Sequence, residues 1–203
     1  YEYRKSFGAE LAKEEEIDAD LVVPVPDSGN AAALGYAQQK KINFDLGLIR
    51  NHYVGRTFIE PSQKIRSLGV KLKLNANHSV IKDKKIILVD DSLVRGTTSS
   101  KIVKMLYDAG AKEVHLRIAS PEIKFPDFYG VDMPTKKELL AANKSVEEIR
   151  DIISAKSLKF LSIDGLYKAM GFENRNDNYP QLTDHYFTGC LLYTSPSPRD
   201  PWT

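Results

Sequence analysis

Short apolar runs, separated by turn-forming and polar stretches, set the frame of this chain. "LVVPV" at residues 21–25 and "IILV" at 86–89 are unbroken and rich in β-branched side chains, the pattern of strands buried on both faces. Each leads into a turn-rich segment and then into a helical period: "PDSGN" before "AAALGYAQQ", and "DDSLVRGTTS" before "KIVKMLYDAGA". A third run, "EVHLRIAS" from Glu113, follows that second helix, whose expected stop is Gly110. Strand, loop and helix in alternation predict an α/β fold with a mainly parallel sheet flanked by helices. Ligands bind such sheets at the carboxyl ends of the strands, where "PDSGN" and "DDSLVRGTTS" fall.

Later helices are marked by spaced caps, Thr135 with Glu138 ahead of "LLAA" and Ser145 with Glu148 in "SVEEIRDII". "YEYRKSFGAELAKEEE" opens inside a helical pattern and without an initiator Met, so the chain is expected to be cut from a longer one. Residues 50–66 have no clean period of either kind. They are polar and basic with Tyr53 and Phe58 among them, and a long irregular loop of this kind is expected to be a lid over a ligand.

Composition narrows the class. At 203 residues the chain suits one main domain. With 42% hydrophobic and 28% charged residues, and no apolar run of membrane length, no membrane partner is expected. A net charge of +2 gives no reason to expect nucleic acid. One cysteine excludes an internal disulfide and, with no signal-peptide pattern, points to a reducing cytoplasm. The four histidines, His52, His78, His115 and His185, lack metal-ligand spacing. They are expected at the surface or in packing, with His115 half-buried in its strand. The last residues, "CLLYTSPSPRDPWT", break with the rest in composition. They are similar to the translation of a sequencing-library adapter, so 190–203 are expected to be a non-native tail.

The chemistry concentrates in "VDDSLVRGTTS" at 89–99. Gly96 permits a tight turn, and Thr97, Thr98 and Ser99 add hydroxyls. The helix that follows would aim its amides and positive dipole end into the loop. That is a cradle for phosphate, although "GTTS" alone is more often simply a helix cap made by Thr98 or Ser99. Asp90 and Asp91 come directly off the buried strand, where charge is costly unless hydroxyls, a cation or donors compensate it. A sugar phosphate reconciles the two halves, with carboxylates accepting from ribose hydroxyls while the 5′-phosphate lies in the cradle. Magnesium held by other phosphates of the same sugar would also need oxygen ligands nearby.

"ILVDDSLVRGTTS" resembles the signature of the type I phosphoribosyltransferases, which bind phosphoribosyl pyrophosphate. "VPVPDSGNAAALGYA", "GLIRNHYVGRTFIEPSQKIR", "VKLKLNAN" and "SPEIKFPDFYGVDMPTKKELLAANKSVEEIR" narrow the resemblance to the glutamine phosphoribosylpyrophosphate amidotransferases, over nearly all of residues 1–189. The resemblance implies a type I phosphoribosyltransferase domain over residues 1–170, a family segment over 171–189, and a flexible active-site loop at 50–66. It implies the first step of de novo purine synthesis, in which ammonia, taken from glutamine in the full-length enzyme, displaces pyrophosphate to give phosphoribosylamine.

By position, it places Mg2+ at Ser28, Asp90 and Asp91, and the substrate along Pro26, Asp27, Ser28, Gly29 and Asn30 and along Asp90, Asp91, Ser92, Arg95, Gly96, Thr97, Thr98 and Ser99. Arg50, Tyr53 and Arg56 are expected to act from the lid, which must exclude water and bring cations to the leaving pyrophosphate. Purine nucleotides as feedback inhibitors and a homo-oligomer are further implications. The positions equivalent to the cysteine ligands of an iron–sulfur cluster found in some members fall on Asp127, Pro180, Thr183 and upstream of Tyr1, so no cluster is expected. The glutaminase domain is expected to lie outside this chain. A phosphoribosyl-pyrophosphate-binding transcriptional regulator or a salvage phosphoribosyltransferase is the alternative, but neither a basic patch nor a base-recognition segment is found.

Overall fold

The structure is a computed structural model that describes residues 1–51, 74–127 and 135–190. Along the chain run α1 (Glu2–Lys13), β1 (Leu21–Pro24), α2 (Asn30–Lys40), β2 (Asn43–Phe44), β3 (Leu48–Arg50), β4 (Leu74–Ala76), α3 (His78–Ile81), β5 (Lys85–Asp90), α4 (Thr97–Asp108) and β6 (Glu113–Ile118). There follow a 3-10 turn (Lys136–Glu138), α5 (Leu140–Asn143), α6 (Val146–Ile153), β7 (Ser157–Phe160), α7 (Ile163–Ala169) and α8 (His185–Thr188).

The main sheet has the order β2-β1-β5-β6-β7, and every pairing in it is parallel. Each strand that read as an apolar run is buried on both faces. Leu21, Val23, Ile86, Leu88, Val114, Leu116 and Ile118 point to one side, where Ile102, Val103 and Leu106 of α4 and Ile149 and Ile153 of α6 cover them. Val22, Ile87 and Val89 point to the other, under Leu11 of α1, Ala32, Ala33 and Tyr36 of α2 and Leu166 of α7. Strand period two thus splits one apolar run between two helical layers.

β6 is the exception on that second side, because it presents His115 and Arg117 there, 7% and 3% exposed. His115 is therefore buried rather than half-buried. Its ring nitrogens meet Ser157 Oγ at 2.8 Å and Glu113 Oε2 at 3.2 Å, and burial first, then the Arg117 charge, holds its pKa below the ordinary value. Arg117 donates through Nε and Nη2 to the two carboxylate oxygens of Glu15, at 2.5 and 2.8 Å. Tyr36 donates to the same carboxylate at 2.7 Å, which, with burial as the larger cause, raises the phenol's pKa. Such a pair, both partners withdrawn from water, is tolerated only because its hydrogen bonds are filled.

The box at Ser145 and Glu148 forms as expected on α6. At Thr135 it does not: no side chain caps the three-residue 3-10 turn, the Thr135 hydroxyl donating at 3.4 Å to Glu138 Oε2 while Oε1 faces Arg95. Residues 175–189 are held by Asp184, 1% exposed. It accepts from Arg175 Nε at 2.6 Å, Tyr167 Oη at 2.9 Å and Thr188 Oγ1 at 3.0 Å. Burial opposes its charge, but these three donors outweigh it and hold the pKa below the ordinary value. Tyr167 is pushed up to about 12 by burial and by that bond.

α1 and α2 cross at backbone distance. A Cβ on Gly8 would lie 1.8 Å from the Ala32 carbonyl oxygen, and one on Gly35 would lie 1.9 Å from that of Lys5. Gly8→Ala must therefore part the two helices at a cost of about 1–3 kcal/mol or more. At this size each 1 kcal/mol lowers Tm by about 2–4 °C; an unchanged melting temperature in a thermal scan would contradict this packing.

Candidate active site

The sheet order fixes where a ligand can bind. From β1 the chain moves outward to β2, whereas from β5 it moves the other way to β6 and β7, so the connections diverge between β1 and β5 and open a crevice at their carboxyl ends. β1 and β5 pair from Leu21 with Ile86 to Pro24 with Val89, and Val25 N donates to Val89 O at 2.8 Å. Both loops singled out in the sequence, 26–30 and 90–96, therefore leave the sheet side by side.

The first loop lies directly on the strand ends. Gly29 N donates to Val25 O at 2.9 Å, and a Cβ on Gly29 would stand 2.5 Å from Val89 O, so only glycine fits. α2 begins at Asn30 with Gly29 as its N-cap and no side-chain cap. The Pro26–Asp27 peptide is cis, Asp27 is exposed and its carboxylate pairs with the Arg50 guanidinium. Asn30 Oδ1 is buried and accepts no hydrogen bond among the described residues, an acceptor left open at the first turn of α2.

The second loop repeats the arrangement. Gly96 takes a left-handed φ of 71° as the N-cap of α4, again with no side-chain cap, which excludes the reading of Thr98 or Ser99 as the cap. Thr97 is exposed, Thr98 half-buried and Ser99 buried. The first-turn amides of α4, like those of α2, are thus not taken up by a capping side chain, and each presents the positive end of a helix dipole. Arg95 is exposed and pairs with Glu138, Nε to Oε1 3.3 Å; Glu138 is a neighbour of this loop that cap spacing misread.

Between the two helix ends stand the acids. Asp90 is 8% exposed, and its Oδ1 accepts from the Asp91 amide at 2.9 Å. Burial, and next the charge of Asp91, push its carboxyl well above the usual carboxylate range. Asp91 is half-buried and accepts from Ser92 Oγ at 3.3 Å. Hard carboxylate oxygens suit a magnesium ion, yet no group of three acidic, histidine or cysteine side chains forms a cage among the described residues. The donor set fits an ion that arrives with phosphate ligands of its own.

Arg50 ends β3, whose antiparallel partner β4 begins at Leu74, directly opposite. Arg50 and Leu74 therefore stand together beside the Asp27 turn. Tyr53 and Arg56, with most of the expected lid, lie outside the described residues, as do residues 191–203 of the expected tail; Cys190 is exposed. Asp127, one of the positions matched to cluster ligands, is buried against His185, 3.0 Å from its Nε2. No helix among the described residues is long and apolar enough to cross a membrane.

No family model matches the chain. It is 62% identical, over 93% of its length, to the amidophosphoribosyltransferase of Rhizobium etli, and spans 38% of that relative. It is 56% identical over 92% of its length to the chloroplastic amidophosphoribosyltransferase 2 of Arabidopsis thaliana, and spans 33% of it. Among solved structures, the glutamine phosphoribosylpyrophosphate amidotransferase of B. subtilis, complexed with ADP and GMP, superposes with a TM-score of 0.83 at 49% identity, over 95% of this chain and 43% of that one. The parallel sheet and its flanking helices are thus those of that enzyme's phosphoribosyltransferase portion.

Asp90 costs stability when ionised, because folding raises its pKa. At pH 8, Asp90→Asn is expected to raise the Tm of the chain without ligands. The gain shrinks towards about pH 4, where the unfolded carboxyl takes up its proton as well. Thermal scans at the two pH values check this, and a variant less stable than the parent at pH 8 would contradict it.

Proposed function

Because the chain belongs, over the stretch it spans, to the amidophosphoribosyltransferase family, we propose that it binds phosphoribosyl pyrophosphate with Mg2+. On this reading it displaces the pyrophosphate by ammonia to give 5-phosphoribosylamine, the first step of de novo purine biosynthesis. The observation that carries the reading is the convergence of two helix N-termini without side-chain caps, at α2 and α4, with two carboxylates between them. A ligand that suits both must present two anionic ends and something for acids to hold in the middle. Phosphoribosyl pyrophosphate does so, with a 5′-phosphate, ribose hydroxyls and a diphosphate.

Arg95, Gly96, Thr97, Thr98 and Ser99 then take the 5′-phosphate through amides and hydroxyls at the start of α4. Pro26, Asp27, Ser28, Gly29 and Asn30 face the diphosphate at the start of α2. Asp90, Asp91 and Ser92 hold the ribose edge, and Ser28, Asp90 and Asp91 would hold Mg2+, which when bound offsets the charge that builds on the leaving pyrophosphate. Arg50 is a second source of positive charge for that leaving group. Its present pairing with Asp27 is half-exposed and so worth little, about 1 kcal/mol at most; a diphosphate can take the guanidinium over. Tyr53 and Arg56 complete the lid that keeps water from the anomeric carbon.

In the full-length enzyme glutamine supplies the ammonia through a separate domain. Purine nucleotides inhibit by presenting the same ribose 5′-phosphate to the α4 loop, a reading favoured by the ADP and GMP of the B. subtilis relative. A cytoplasmic homo-oligomer is part of the same proposal.

Pyrophosphate release is measured with Mg2+, phosphoribosyl pyrophosphate and ammonia. Release is expected with ammonia, and Asp91→Asn should lower it on the order of 10²-fold. Equal rates in variant and parent would remove Asp91 from the site, and no release with ammonia would remove the reaction.

A further inference from the structure

The phosphate loop after β5 is walled on its outer side by residues 136–143. Leu140 N donates to Val94 O at 2.9 Å, and Leu140 Cδ2 lies 2.6 Å from where a Cβ on Gly96 would be. Glu138 holds the Arg95 side chain on the same flank. The loop between Val94 and Thr97 thus takes its outer limit from Leu140.

What holds Leu140 is not the intrinsic stability of its own element. The 3-10 turn at Lys136–Glu138 has three residues and α5 has four, lengths at which helix formation on its own is unfavourable. The tie is the side chain of Asn143. Its Nδ2 donates to Leu139 O at 2.7 Å and Lys136 O at 2.8 Å, with a longer approach of 3.4 Å to Lys137 O. An amide nitrogen has two hydrogens, so the two short bonds use both. They fasten the last residue of α5 to the carbonyls that open and close the turn before it. Leu139, fully buried, seals the joint from below.

We propose that Asn143 is a positioning residue for the 5′-phosphate loop: by fastening residues 136–139 onto α5 it seats Leu140 against Val94 and Gly96, and so sets the spacing of the amides that receive the phosphate. Asn143 acts through Leu140 and through the turn; its own amide hydrogens are spent on main-chain carbonyls. This rests on the reading of the α4 loop as the 5′-phosphate site. It goes beyond that reading in assigning control of the loop to a residue more than forty positions further along the chain. The consequence is selective: a ligand held by its 5′-phosphate depends on Asn143, whereas a ligand held at the α2 end does not.

Calorimetric titration of the full chain with ribose 5-phosphate, and separately with inorganic pyrophosphate and Mg2+, tests this. In Asn143→Ala, the Kd for ribose 5-phosphate is expected to rise about fivefold to tenfold, the worth of two hydrogen bonds, with the Kd for pyrophosphate unchanged. Asn143→Ser, which keeps one donor, recovers part of the loss, and Leu140→Ala reproduces the selectivity by removing the wall itself. Equal weakening of both ligands, which a general loss of structure would give, overturns the proposal, as does unchanged affinity for ribose 5-phosphate in both Asn143→Ala and Leu140→Ala. If the parent chain binds pyrophosphate but not ribose 5-phosphate, the assignment of the α4 loop falls first, and this proposal with it.

Discussion

The contact on which the site depends is the seating of Gly29 over the carbonyl of Val89. Parallel pairing of β1 and β5 brings the two strand ends level, but level ends do not make one site. The first loop must also lie flat on the second strand, and a side chain at position 29 would lift it away, since even a Cβ would stand 2.5 Å from the Val89 oxygen. With the glycine in place, α2 and α4 start from neighbouring strands and aim their open amides into one crevice. On the proposed function, two weak anion sites become one site for a ligand with two anionic ends.

On the same reading, that convergence accounts for acids standing beside an anion site. Asp90 is buried behind the loop and, before ligand binding, is held far from its ordinary titration by burial and by Asp91. A carboxyl in that state is a stability cost retained for what it can accept, hydroxyl hydrogens or a metal ion that neutralises it. The opposite choice was made at Arg117. There a charge equally withdrawn from water has its partner permanently in place, with Glu15 and Tyr36 closing the network. One buried ionisable group is satisfied by the fold, and on the proposed function the other is left for a ligand, so partners rather than burial tell the two apart.

Much of this was legible in the sequence because it rests on local rules. Apolar runs marked β1, β5 and β6, and a left-handed glycine before hydroxyl residues marked the start of α4. What was not legible depends on pairing between distant segments. β2 and β7 are too short and too mixed to stand out, and β3 and β4 lie on either side of a long connection, so neither has a period of its own. His115 and Arg117 interrupt the apolar pattern of β6, where His115 was expected half-buried; both are buried because distant residues partner them, Ser157 for His115 and Glu15 for Arg117. Spacing at Thr135 and Glu138 obeyed the cap rule and yet made no cap, because the Glu138 carboxylate is shared between the Arg95 guanidinium and the Thr135 hydroxyl rather than a main-chain amide.

The same distinction bears on how the site divides its work. The glycines, strand ends and helix starts are fixed by main-chain contacts that leave almost no latitude, so they can specify a ligand's anionic ends and little more. On the proposed function, selection of the second reactant falls to groups other than these main-chain contacts. Side chains form the described rims: Arg50 pairs with Asp27 on one side and Glu138 with Arg95 on the other. Half-exposed pairs such as these can be exchanged at small energetic cost, whereas Gly29 cannot be. On the proposed function, a rigid floor with exchangeable rims would leave the choice of acceptor to residues outside the motif that binds the phosphates.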